Sequence, residues 1–321
     1  TKADVLERAK REIDIYRTNG VDGVLVETYF GTYHNVEQVL EDIIKAGADI
    51  IFCVGPQMMP NSLKVAVEHP EVYILNCSLN APHPYIRTYY GRMYEAKFLA
   101  GMIAGAVTDN ERVAYIADYP IYGMIANINA FALGVASVNP RAKVYLAWSK
   151  TKDYDRNKFL TENDLHYVSD QDIITPNDAS RYFGLYKLQD GQALNLAMPI
   201  WNWGVFYEKL LQSVLAGSYK AEGQEQVKAL NYWWGMSAGV IDLICSKHVP
   251  YGVKRLADHL KSDITKGEVV PFFGQIYDQK GELKNKGEHE MKPSDIMKMD
   301  WLVDNVVGSI PPMSEFVDNA K

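Results

Sequence analysis

Two short aromatic clusters are the residues best suited to hold a ligand: Trp201-Asn202-Trp203 and Tyr232-Trp233-Trp234-Gly235. Each follows a run that reads as a strand, and the first opens a helical run. A buried tryptophan needs a partner for its indole N–H, so four of them at strand ends are unusual in a purely apolar core. A flat heterocycle stacking on such rings, with Asn or Asp side chains reading its edge, suits this pattern. Packing of a core or a hinge is the other reading, and the residues alone leave both open.

Catalytic signatures are missing. The chain has no G-x-S-x-G, H-E-x-x-H, P-loop or G-x-G-x-x-G motif. Its seven histidines stand singly, without metal-ligand spacing to one another or to a cysteine, so neither a metal nor a cofactor is expected. The acidic pairs Asp153/Asp155 and Asp170/Asp172 have the residue types for acid-base work. At i, i+2 in a loop they read first as turn and capping residues. Cys53, Cys77 and Cys245 form no zinc or redox motif and read as buried free thiols.

The composition sets the frame for these residues. With 321 residues, the chain exceeds what one core usually serves, and two lobes are expected. The hydrophobic fraction is 47% and the charged fraction 23%, ordinary for a globular protein. Net charge is -7 with no dense Lys/Arg cluster, which argues against nucleic acid as a partner. The longest apolar segment, Phe98 to Val107, falls short of the ~20 residues of a membrane span.

The elements that must position the aromatic clusters alternate in type. Helical periodicity covers Ala3 to Asn19, Val36 to Ala46 (capped by Asn35), Asn61 to Glu68, Tyr94 to Val107, Gly123 to Val138 and Trp203 to Ala216. Strand patterns cover Val24 to Glu27, Ile50 to Val54, Val72 to Asn76, Val113 to Ala117 and Lys143 to Trp148. Leu165 to Ser169, Tyr182 to Tyr186 and Ala193 to Met198 read as strands of a second sheet, and Gln275 to Leu283 as a hairpin.

Strand-helix alternation argues for parallel sheets covered by helices, with a ligand beyond the carboxyl ends of the strands. Those ends are Gly55-Pro56, Asn76-Cys77-Ser78, Asp118-Tyr119-Pro120 and Trp148-Ser149. Asn76, Ser78, Tyr122, Trp201, Trp203 and Trp234 each lie at or just after a strand end, and they are expected to line one shared cavity. Without a linker-like tract, the lobes are expected to be joined by about three hinge strands.

Several ordered segments resemble the basic membrane protein family of substrate-binding proteins. They are Asn76 to Asn80, Arg87 to Gly101 with its Glu95-Ala96-Lys97-Phe98-Leu99-Ala100-Gly101 core, and Asn129 to Gly134 followed by Val138-Asn139-Pro140. Trp201-Asn202-Trp203-Gly204 and Pro271-Phe272-Phe273-Gly274 look like the purine-binding branch of that family.

The resemblance implies an α/β, type I periplasmic-binding-protein fold, with two doubly wound parallel-sheet lobes joined by hinge strands. Lobe I would take residues 1–118 and about 236–270, lobe II residues 119–235 and about 271–321. It implies no catalysis, and capture of a purine nucleoside or nucleobase between the lobes for an ABC importer, with its permease as partner. It also implies an extracytoplasmic lipoprotein, anchored to the membrane in the full-length protein. The family's first strand and its pocket loop are expected ahead of Thr1, and Asn19 to Thr28 matches the family poorly.

Two other classes remain open at this point. One is a ligand-sensing regulatory module fused to another domain, in the cytoplasm. The other is a nucleoside hydrolase using Asp118 and Asp300, although no paired-carboxylate cluster is evident in the sequence.

Overall fold

The computed structural model describes residues 35–79, 83–121, 123–172, 181–219 and 231–317. The runs read above as a helix from Ala3 and a strand from Val24, together with Tyr122, lie outside the described residues. The chain forms two compact units. One holds residues up to Tyr90 with Gly217–Tyr232; the other holds Gly91–Ala216 and everything from Trp233 on. The chain thus passes between them after Tyr90, Ala216 and Tyr232.

In the first unit, helix α1 (Val36–Lys45) leads to strand β1 (Ile50–Cys53), and helix α2 (Met59–Glu68) to β2 (Tyr73–Cys77) and β3 (Ile86–Gly91). Strands β1, β2 and β3 are parallel neighbours, followed in sheet order by β9 (Asn231–Trp234). Val36 and Leu40 from the buried stripe of α1 pack with Ile51, Val65, Ile74 and Ile86 in the core. Asn35 occupies the cap position of α1, but its side chain makes no capping hydrogen bond.

The second unit begins with helix α3 (Met93–Val107), strand β4 (Arg112–Ala117), helix α4 (Met124–Val138) and strand β5 (Lys143–Trp148). It continues with α5 (Arg156–Glu162), β6 (Tyr167–Ser169), β7 (Leu185–Gln189), β8 (Gln192–Trp201), α6 (Trp203–Leu215), β10 (Ile241–Cys245) and α7 (Tyr251–Lys266). The hairpin β11 (Gln275–Tyr277) and β12 (Leu283–Lys286), the short α8 (Pro293–Met297) and β13 (Val306–Val307) complete it.

Its seven-stranded sheet has the order β10-β8-β7-β6-β4-β5-β13. Strands β6 to β8 therefore share one sheet with β4 and β5. Strand β4, placed in lobe I by the sequence reading, pairs here with β5 and β6. Helices α3 and α4 lie backbone to backbone. A Cβ on Gly101 would come within 2.8 Å of the Phe131 carbonyl carbon, and one on Gly134 within 2.9 Å of that of Phe98. Only glycine permits that approach, and both glycines belong to the motifs singled out in the sequence.

Candidate ligand-binding site

Pairing directions define one edge of the second unit's sheet. Strands β5, β6 and β13 run parallel to their neighbours β4 or β5. Two successive antiparallel pairings, β6 with β7 and β7 with β8, return β8 to the same direction. The carboxyl ends of β4, β5, β6 and β8 therefore emerge together, with β8 and β4 roughly 15 Å apart across the two intervening strands. Ligands of open α/β sheets bind beyond such ends.

The aromatic part of this edge is the turn from β8 into α6. Leu185 of β7 pairs with Ala197, so β8 runs on past the start of β7 to Trp201, paired there only with Ile241 of β10. Trp201 and Trp203 are both half-buried. Asn202, between them, donates its backbone N–H to Val240 (2.7 Å) and its side-chain amide to Gly239 (3.2 Å). Trp203 stands edge-on to Phe206 and stacked with Tyr207, and Trp234 packs edge-on against Phe206 at 5.2 Å. The structure thus gathers three expected tryptophans, Trp201, Trp203 and Trp234, around one turn.

A polar group occupies the ends of β4, β5 and β6. The Ser149 hydroxyl donates to Asp118. Lys97, 1% exposed, reaches out of α3 to Asp172 (2.6 Å) and Ser169 (3.3 Å), with its ammonium over the Tyr115 ring. Asp170 accepts from the Tyr186 hydroxyl (2.9 Å) and faces Arg156, whose guanidinium lies over Tyr182. Nearby, the Tyr154 hydroxyl is buried and has no hydrogen-bond partner among the described residues.

Burial pushes the carboxyls of Asp170 and Asp172 above the ordinary carboxylate value; the Lys97 ammonium pulls Asp172 back, and Asp170 and Asp118 push it up again. Three carboxylates face two cations, leaving a formal charge of -1. Ionised carboxylates only accept hydrogen bonds, so such a group reads N–H and O–H donors and repels phosphates.

Asn76 and Ser78 belong to the first unit, at the end of β2, and both are buried. The Asn76 side chain donates to the Gly55 carbonyl (2.9 Å), pinning the turn after β1. Tyr122 is outside the described residues.

Asp118 and Ser149 were visible in the sequence as strand ends, whereas Asp170, Asp172 and Lys97 were not recognised as site residues. Asp155 does cap a helix, accepting from Lys158 N–H (3.0 Å). Asp170 and Asp172 do more than cap, because their partners come from elements distant in sequence. Among the described residues no cluster of His, Cys, Asp and Glu is arranged to hold a metal, and no helix is long and apolar enough to cross a membrane.

Comparison with known proteins adds an independent line. The family model Bmp, described as ABC transporter substrate-binding protein PnrA-like, matches residues 7–182. A purine-binding protein of Brucella abortus is 26% identical over 290 residues, covering 86% of this chain and 81% of that protein. A putative ABC transporter glucose-binding protein of Haloferax volcanii is 30% identical over 217 residues, 64% of this chain. The matched part spans about half of that relative, 54% of its length.

Among solved structures, a transcriptional activator of the comK gene from Bacillus halodurans superposes with a TM-score of 0.62 at 13% identity, covering 83% of this chain and 95% of that one. An ABC transporter solute-binding protein from Conexibacter woesei superposes with a TM-score of 0.56 at 17% identity, covering 82% and 91%.

Proposed function

This chain belongs to the Bmp family of PnrA-like ABC transporter substrate-binding proteins, and from that premise we propose that its solute is a purine nucleoside or nucleobase, bound at the carboxyl edge of the second unit's sheet. The fold is the type I periplasmic-binding fold of ABC solute-binding proteins. The observation that carries the proposal is the sharing of one sheet edge by the Trp201–Trp203 turn and the acceptor group of Asp118, Asp170 and Asp172.

The two halves of the edge divide the work of recognition. Stacking of a base on an aromatic ring contributes about 1–3 kcal/mol. The carboxylates have acceptor oxygens to offer purine N–H or ribose O–H groups, so a ligand carrying such donors is favoured over one without them. The formal charge of -1 that remains after Lys97 and Arg156 are counted disfavours nucleotides. The name of the Brucella relative, which matches most of this chain, supports the purine reading. In this reading the protein works outside the cytoplasm, delivering solute to a permease.

A panel of adenosine, guanosine, hypoxanthine, uridine and D-glucose, followed by thermal shift and calorimetry, tests it. A purine at 100 times its Kd stabilises the protein by about 2.7 kcal/mol. At least one of Trp201→Ala and Trp203→Ala should weaken purine binding tenfold or more, about 1.4 kcal/mol, without lowering the ligand-free melting temperature. Absence of purine binding overturns the proposal. Glucose binding indifferent to both substitutions would instead favour a sugar ligand, the chemistry in the Haloferax relative's name.

A further inference from the structure

The segment that opens α3 is tied to the end of β9 and the turn that follows it by a set of polar contacts. The Arg92 backbone N–H donates to the Trp234 carbonyl (2.8 Å), and its guanidinium donates to the Ser237 hydroxyl (3.1 Å). The Glu95 carboxylate, its side chain 7% exposed, pairs with Arg92 (3.1 Å) and accepts the Met236 N–H (2.6 Å). Gly235 lies flat on that carboxylate, so that a Cβ there would come within 2.6 Å of its carbon.

From Met236 the chain turns tightly back to β10. The Gly239 N–H bonds Met236 (2.9 Å) and the Val240 N–H bonds Gly235 (3.1 Å). The carbonyls of Gly239 and Val240 left over by this turn are the two that hold Asn202. Lys209 of α6 adds a bond to the Ala238 carbonyl (2.6 Å). A continuous run of hydrogen bonds therefore leads from Glu95 through residues 235–240 to the residue between Trp201 and Trp203. On the other side, Gly91 abuts the Trp201 indole, where a Cβ would come within 3.1 Å of the ring.

We infer that Glu95 is a positioning residue for the Trp201–Trp203 turn. Its carboxylate fixes the 235–240 turn, and that turn fixes Asn202. A buried charge with a backbone partner resists displacement because exposing either group alone leaves the other unpaired. The inference uses the purine reading only for its affinity measurement.

The test is 19F NMR of protein labelled with 5-fluorotryptophan, with resonances assigned by Trp→Phe substitution, combined with titration by guanosine, adenosine and hypoxanthine. Glu95→Gln keeps an acceptor for Met236 and loses the charge; Glu95→Ala loses both. Both should shift the Trp201 and Trp203 resonances and leave Trp148 and Trp301 in place. Purine affinity should fall about threefold in the first and tenfold or more in the second.

Gly235→Ala should mimic Glu95→Ala in the parent and add nothing to it in the double variant, because the added methyl then has room. If Glu95→Ala does not fold, Glu95→Gln and Gly235→Ala carry the test. Unchanged Trp201 and Trp203 resonances overturn the inference, as does a shift of all tryptophans together. Should the parent bind no purine, the ligand reading fails while the fluorine spectra still decide the role of Glu95.

Discussion

Replacing Gly101 or Gly134 with alanine should destabilise the second unit, although both sit in helices where alanine is intrinsically preferred. The gain in helix propensity is about 1 kcal/mol for each. Against it stands a Cβ within 2.8 Å of the Phe131 carbonyl carbon, or 2.9 Å of that of Phe98, where ordinary contact begins near 3.4 Å. The obstruction is backbone, with the Phe131 and Phe98 carbonyl oxygens nearer still than their carbons, so no rotamer change relieves it, and α3 and α4 must separate by about an ångström or more.

Overpacking of this kind costs about 1–3 kcal/mol, and a backbone obstacle belongs at the upper end, leaving a net loss of about 2 kcal/mol. All six tryptophans lie in the second unit, so urea unfolding followed by tryptophan fluorescence reports on that unit. The double variant should lose less than the sum of the singles, because one separation of the helices relieves both contacts. Gly252→Ala, where a Cβ meets nothing within 4 Å, is the control and should be neutral or stabilising. Two single variants as stable as the parent would refute the close-packing argument.

Lys97→Met removes the cation from a buried pair with Asp172 and should cost about 3–5 kcal/mol in urea unfolding; a loss under 1 kcal/mol would mean that water reaches Asp172 freely. Burial raises the Asp170 carboxyl above its ordinary 3.8, so just above that pH the folded chain keeps a proton that the unfolded chain has released. Stability should then fall as pH rises through this range, and Asp170→Asn should flatten the fall; a rise with pH, carried by Asp170, would contradict the environment described.

Much of the architecture was legible because it is written in local patterns. Short apolar runs mark Ile50–Cys53 and residues 144–148 as strands, and helical periodicity bounds Met93–Val107 and Met124–Val138 to within a residue or so. The tryptophans at the β8–α6 turn were visible for the same reason, since a strand end followed by a helix start is a short-range signal. Strand β3 was not read as a strand, because Ile86-Arg-Thr-Tyr-Tyr-Gly carries polar residues whose burial depends on β2 and on partners from residues 219 and 232.

The grouping of strands into sheets was likewise out of reach, since the pattern of β4 is satisfied by either sheet and only its pairing with β5 and β6 decides. Asp170 and Asp172 show the limit most plainly. Two carboxylates at i, i+2 after a strand look like turn residues. What draws them into one polar group is Lys97, an ammonium 75 positions from Asp172 that α3 carries to within 2.6 Å of it. The local sequence determines which segments become strands and helices, but charge pairing across a sheet edge acts through space, and only the packed chain brings those charges together.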